Sequence, residues 1–293
     1  MPRRRILLEP TSRLAIWARR LALFSLIATF IAIVIVRSGS LDIVPAISTL
    51  AGALLLAVVA ILLAFAAGIV IWRDGLGGAR EAVTALLVGG ALIAYPAYLG
   101  VEAYRLPAIY DVTTDPIDPP RFEAIAKLRP RDANPVVYAG LYAAELQHAA
   151  YSDIEPYTTD SSPQQAYSAA LKVITKRRWR IVDARPPQGA GAAFRDGLIE
   201  AVARTPILGF RDDVVVRVRA TADGARIDMR SASRYGRNDL GSNAARVRAL
   251  IEDIDDILSA PAPERPERPV GPQRKLPVPK SPQAAGKGGS ARR

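Results

Sequence analysis

Residues 43–72 read IVPAISTLAGALLLAVVAILLAFAAGIVIW, a run without one charged side chain. A stretch that long and that apolar crosses a bilayer with some tilt. Two more apolar runs flank it closely, at 21–36 and 82–101, so 21–101 is expected to form three transmembrane helices in succession. Arg3, Arg4, Arg5, Arg13, Arg19 and Arg20 precede the first run against Glu9 alone, and Trp17 stands where an interfacial aromatic would anchor it. Basic residues before an apolar run also describe a cleaved signal peptide. The two runs that follow argue for a retained helix instead. A basic start stays in the cytoplasm, and three crossings then carry the chain to the far side. Glu102, Asp111, Asp115 and Asp118 outnumber Arg105 just beyond the third run, which suits an exterior face. The expected address is the inner membrane, multi-pass, with a cytoplasmic N-terminus and a periplasmic soluble domain. No Asp, Glu, Lys, Arg or His lies inside the three spans, so they read as an anchor or docking surface rather than a transport path. Small residues recur every fourth position at Ala60, Ala64 and Gly68, and at Ala85 with Gly89 and Gly90 with Ala94. Such spacing lets helix backbones approach each other or a partner.

The formal charge of +11 is confined to the ends: residues 1–20 contribute +5 and residues 261–293 contribute +6, leaving the interval between them neutral. A nucleic-acid-binding surface would concentrate its excess inside the folded domain, so no nucleic-acid partner is expected. The absence of cysteine excludes disulfides, thiol nucleophiles and thiolate metal sites. His148 is the sole histidine and has no recognisable triad spacing around it, so no metal, cofactor or catalytic residue is assigned.

Four regions follow: a basic cytoplasmic N-terminus (1–20), the membrane region (21–101), a soluble domain (102–260) and a tail (261–293) whose prolines and scattered Lys/Arg predict disorder. Residues 104–135, rich in Pro and Asp, read as an extended lead off the membrane. Ser162-Pro163-Gln164-Gln165 combines an N-cap, a first-turn proline and a capping-box glutamine, and Ala166, Ala170, Val173 and Ile174 give that helix a buried stripe. Strands are expected at 179–184, 197–204, 214–221 and 226–233, and a last helix over 240–258. The soluble fold is therefore α+β, with an antiparallel sheet of about four strands packed by two helices.

Asp223-Gly224 between the last two strands predicts a two-residue hairpin turn. That register sets Arg217 against Arg230, Arg219 against Asp228 and Asp213 against Arg234 on a solvated face. A like-charge pair is unfavourable unless something neutralises it. Arg217, Arg230, Ser231, Ser233, Arg234, Arg237 and Asn243 are accordingly candidates for holding an anion, helped by backbone amides of a helix beginning near Asp239. The acidic candidates are Asp111, Asp115, Asp212 and Asp213. Asp212 and Asp213 are adjacent, so on a strand they face opposite ways.

Three separated motifs carry a resemblance. Ile109-Tyr-Asp-Val-Thr-Thr-Asp115 with Pro119-Pro-Arg-Phe122, then Ile199-Glu-Ala with Gly209-Phe-Arg-Asp-Asp213-Val, then the run from Asp228 to Asn243, resemble the domain of unknown function 1499 family over about residues 105–258. The resemblance implies no activity, since the family has none established. It does group Asp111, Thr114, Asp115, Asp213, Arg230, Ser231, Ser233, Arg234, Asp239 and Asn243. The chain reads as a membrane-anchored periplasmic binding module without chemistry of its own, whose partners are the lipid bilayer and an anionic ligand or an envelope protein. The alternatives are a hydrolase using Asp111, Asp115 and Asp212, and a structural subunit of a membrane complex.

Overall fold

The structure is a computed structural model that describes residues 10–189 and 191–260. Arg3, Arg4, Arg5 and the basic tail expected at 261–293 lie outside the described residues. Three helices come first, α1 (Arg13–Ser38), α2 (Ile43–Asp74) and α3 (Ala79–Arg105), each long and apolar enough to cross a membrane. Their packing is the reverse of a water-soluble bundle. Ala15, Ala18, Ala22, Ala32, Ala53, Ala57, Ala60, Ala64, Ala67 and Ala85 are buried between the helices, while Phe24, Phe30, Leu55, Leu62, Phe65 and Leu87 point outward. Large apolar side chains on the outside are stable only in an apolar solvent, and small ones inside let the backbones close. Gly89 shows how tight this is, since a Cβ there would lie 2.7 Å from Cγ1 of Ile61. Gly68 and Gly90, from the same sequence ladders, face open space. Exposed Trp17 and Trp72 mark one end of the bundle, and Tyr98 and Tyr104 mark the other.

A sheet domain follows as β1 (Asp111–Thr113), α4 (Ala124–Leu128), α5 (Leu141–Ala150), β2 (Tyr157–Thr159), α6 (Pro163–Lys176), β3 (Arg180–Arg185), β4 (Gly197–Arg204), β5 (Arg211–Ala220), β6 (Ala225–Ser233) and α7 (Ser242–Ser259). Its antiparallel sheet has the order β1-β6-β5-β4-β3, with β2 pairing the far end of β6, so it contains six strands rather than the expected four. The two extra strands are three residues each, too short to show alternation. The capping box of α6 forms as the sequence predicts: Ser162 Oγ accepts from the Gln165 amide while Gln165 reaches back to the Ser162 amide. α6 and α7 cover one sheet face through Val173, Ile174, Val247, Leu250 and Ile254 against Ile199, Val214, Val216, Ile227 and Met229.

Two expectations are corrected. The hairpin does not close at a two-residue turn: Ala220 pairs with Ala225, and the Thr221 amide donates to the Gly224 carbonyl across a four-residue loop. β2 passes so close to Gly224 that a Cβ would overlap the Thr159 carbonyl oxygen, which dictates glycine there and displaces the tight turn. Each residue of β5 therefore meets a partner two positions earlier than predicted, which preserves the faces but reassigns every pair. The second face is not solvated either. Residues 114–140 fold across it, and Phe122, Ile125, Val202, Val215 and Ala232 form a smaller core beneath them. The anchor is the buried Glu200 carboxylate, which accepts from the amides of Glu123 and Ala124 at 2.9 Å and of Ile125 at 2.8 Å, fixing the start of α4.

The domain meets the end of the bundle where α1 finishes and α2 begins. Arg37 Nη1 donates to the carbonyls of Pro206 (2.6 Å) and Ile207 (3.2 Å) in the β4–β5 loop, and Asn238 Nδ2 donates to the carbonyls of Ala103 and Leu106 at 3.4 Å.

Candidate functional site

The corrected register decides what the arginines can do. Arg217 lies opposite Asp228, and Arg230 opposite Val215, so the like-charge pair expected between Arg217 and Arg230 does not form. Its physical basis was a turn two residues too tight. Arg230 instead points into the layer under residues 111–138. Its Nη2 donates to Asp111 Oδ2 at 2.6 Å and its Nε to Oδ1 at 2.9 Å, with further bonds to the carbonyls of Pro120 and Val136. The rings of Phe122 and Tyr138 stand 4.7 Å and 5.6 Å from its guanidinium carbon. Burial, followed by the nearby Asp111 charge, pushes the Tyr138 hydroxyl up to about 12.

Asp213 is fully buried and carries two guanidinium groups, Arg234 on Oδ1 at 2.7 Å and Arg129 on Oδ2 at 2.7 Å. The sequence reading that Asp213 holds Arg234 is thus realised, although Ala232 is its ladder partner. A third cluster gathers Asp115, Asp118 and Asp228 around Arg217, Arg219 and Arg226. Burial alone would raise the Asp115 carboxyl. The Asp118 amide, Arg226, Arg219 and the Ile117 amide outweigh it and hold the group below the usual carboxylate range.

On the helix-covered face, Ser231 Oγ donates to Asn243 Oδ1 at 2.8 Å, Asn243 Nδ2 donates to Ser233 Oγ at 3.0 Å, and Arg246 joins this group to Asp212. Burial pushes the carboxyls of Asp212 and Asp239 up from their ordinary value. The start of α7, expected to offer amides to a ligand, is occupied from within: Asp239 accepts from the amides of Gly241 (3.0 Å) and Asn243 (2.7 Å). Arg237 is exposed on the preceding loop, and His148 is exposed on α5.

The acidic candidates do not converge. Asp111 is held by Arg230 on one face and Asp212 by Arg246 on the other, while Asp115 lies among the arginines of the third cluster. Asp111 and Asp212 neighbour adjacent residues of β6, Ala232 and Ser233, and so project to opposite sides. These four groups are internal clamps that fasten residues 111–140 and α7 to the sheet.

Two concave regions border the sheet domain among the described residues. One is a groove of about 700 Å³ along Pro116, Ile117, Val136, Val137, Tyr138 and Leu141. The other is a cleft of about 240 Å³ between the bundle end and the β4–β5 loop, lined by Arg37, Asp42, Asp132, Arg204, Arg211 and Arg234 among others. Arg204 and Arg211 face each other as the final pair of the β4–β5 ladder. Sequence reasoning missed Arg37, Arg204 and Arg211. The available signal was the loop 205–210, with Pro206 and Gly209, which closes β4 on β5 with the two arginines opposed.

No curated protein and no solved structure matches the chain. Residues 111–254, from the first residue of β1 into α7, match the model of the family described as Protein of unknown function (DUF1499), which bears out the resemblance drawn from the sequence motifs and leaves the three membrane-length helices outside the match.

Proposed function

We propose that this chain is a multi-pass inner-membrane protein, with its N-terminus in the cytoplasm, that holds a periplasmic domain against the membrane surface as a non-enzymatic binding module for an anionic ligand or an envelope protein. The carrying observation is where cationic groups are left over. Inside the domain the buried guanidinium groups are answered by carboxylates, whereas the cleft beside the bundle keeps Arg37, Arg204 and Arg211 without an ion pair among the described residues. A binding role is favoured over hydrolysis because Asp111, Asp115 and Asp212 sit in separate places, each committed to arginine. Sidedness is tested with reporter fusions after Ala103 and after Arg293. Activity of an exported reporter at both points supports the reading, and fluorescence of a cytoplasmic reporter at both refutes it.

A second reading, a structural subunit of a membrane complex, is favoured by one feature. Gly68 and Gly90 face outward with open space before them, where another helix backbone could approach. Co-purification of a stoichiometric membrane partner in mild detergent, lost in a Gly68→Leu/Gly90→Leu variant, would select it.

A further inference from the structure

The cleft at the bundle end differs from the other arginine clusters in what answers its charge. Arg204 and Arg211 are directly opposed across the ladder, and among the described residues neither side chain makes a hydrogen bond or an ion pair. Opposed like charges are unfavourable in a sheet and persist where a counter-charge is supplied. Burial first, then the neighbouring Arg204, Arg234 and Arg180, lowers the affinity of Arg211 for its proton. The Arg211 guanidinium lies beside Gly39 of the α1–α2 link. Arg37 adds a third cation from the last turn of α1, its Nη1 spent on two neutral carbonyls.

Depth identifies the kind of anion that could be met there. Arg37 ends one membrane-length helix and Asp42 begins the next, which places the cleft where hydrocarbon gives way to headgroups. The loop that forms its wall carries Pro206, Ile207, Leu208 and Phe210, an apolar tip suited to that zone. Guanidinium forks match phosphate oxygens in pairs. The same cleft is also lined by Asp42 and Asp132, which bring carboxylates to it. A bare multiply charged anion would be repelled by that pair. A phosphodiester with a hydrogen-bond-donating far end would be matched at both ends.

We propose that this cleft binds the phosphate of a phospholipid headgroup, with Arg204 and Arg211 on the phosphate oxygens, Arg37 adding charge, and Asp42 and Asp132 facing an ethanolamine ammonium or glycerol hydroxyls. The inference rests on the membrane-docked reading above but not on which side the domain occupies. It is tested on the full chain in nanodiscs of equal parts phosphatidylethanolamine, phosphatidylglycerol and phosphatidylcholine, with retained lipid identified by native mass spectrometry. The wild type is expected to retain one lipid and to enrich the ethanolamine or glycerol headgroup over choline, which has no N–H to donate. An Arg204→Gln/Arg211→Gln variant is expected to lose affinity roughly thirtyfold, as for two arginines acting at a lipid surface. Lys172→Gln/Lys176→Gln on α6 should behave as wild type. The single Arg211→Gln variant, expected to lose about fivefold, replaces the double should its thermal melting fall. A parallel titration with inorganic phosphate in a phosphate-free detergent separates the sources. Saturation by free phosphate with no lipid retained assigns the cleft to a soluble phosphate and overturns the lipid assignment. Equal lipid retention by wild type and the arginine variants overturns the site altogether. Because the reporter fusions read sidedness independently, either failure is distinguishable from a failure of the periplasmic placement.

Discussion

Replacing Arg230 with methionine tests whether the buried clamp at Asp111 fastens residues 111–138 to the sheet. Both side chains are only 2% exposed, and the guanidinium also serves the carbonyls of Pro120 and Val136. Methionine occupies much of the same space but leaves a buried carboxylate and two carbonyls without donors. Breaking one side of a buried ion pair costs about 3–5 kcal/mol. For a domain of this size each kcal/mol moves the melting midpoint by about 2–4 °C, so a fall of roughly 10–15 °C is expected. Trp179, packed against the domain core, reports domain unfolding by fluorescence in the full chain once Trp17 and Trp72 are replaced by phenylalanine. The variant also acquires a pH signature. An orphaned Asp111 has its folded-state pKa raised by burial, so the protonated carboxyl is tolerated at low pH and the defect deepens as pH rises through that value. Removing both partners, Asp111→Leu with Arg230→Met, abolishes the orphaned charge and should leave only about 1–2 kcal/mol of loss from the two carbonyls. A single variant that costs less than about 1 kcal/mol, or a double worse than the single, would refute the clamp.

Further expectations follow from other elements. Gly89→Leu should destabilise the bundle by about 1–3 kcal/mol through overlap with Ile61, while Gly90→Leu, which meets open space, should not; thermal unfolding in detergent compares them. Asp115 has its folded pKa depressed, so its contribution is complete above the ordinary carboxylate pKa and lost as pH falls through the lowered one. Melting at about pH 5 and about pH 3 should therefore fall more steeply in wild type than in Asp115→Asn. Ser162→Ala removes the N-cap of α6 and should cost about 1 kcal/mol, seen as a fall of about 2–4 °C in the melting midpoint.

The sequence carried some of this structure openly and concealed the rest for identifiable reasons. The apolar runs and the capping box are local signals, and the helices and α6 fall where those signals place them. β1 is short and lies in a Pro/Asp-rich segment, and what makes it a strand is distant. Its Thr113 pairs with β6 on one side, while on the other the Gln147 side chain accepts from its amide at 3.0 Å and donates to its carbonyl at 2.7 Å. That side-chain amide imitates a neighbouring strand and closes the sheet edge, and nothing near Gln147 in the chain announces it. The cleft was hidden similarly, because Arg37 and Arg211 are far apart in sequence and meet only when the domain seats on the bundle.

The hairpin shows which forces choose among alternatives that hydrophobicity treats alike. A shift of two residues keeps every side chain of β5 and β6 on its original face, so Val214, Val216, Val218, Ile227 and Met229 would be buried in either register. Burial is therefore nearly silent on the choice. The charges are not silent. Each register opposes one pair of arginines, Arg217 with Arg230 in the expected one and Arg219 with Arg226 in the observed one, but in the observed one Asp115 and Asp228 bind both Arg219 and Arg226, and Arg230 is released to reach Asp111 on β1. The closest approach of β2 to Gly224 adds a steric term in the same direction. On this argument the arginine–carboxylate clamps act chiefly by selecting register. That is consistent with the modest net stability expected of buried ion pairs, and with a domain whose buried guanidinium groups at Arg129, Arg230, Arg234 and Arg246 each meet a carboxylate.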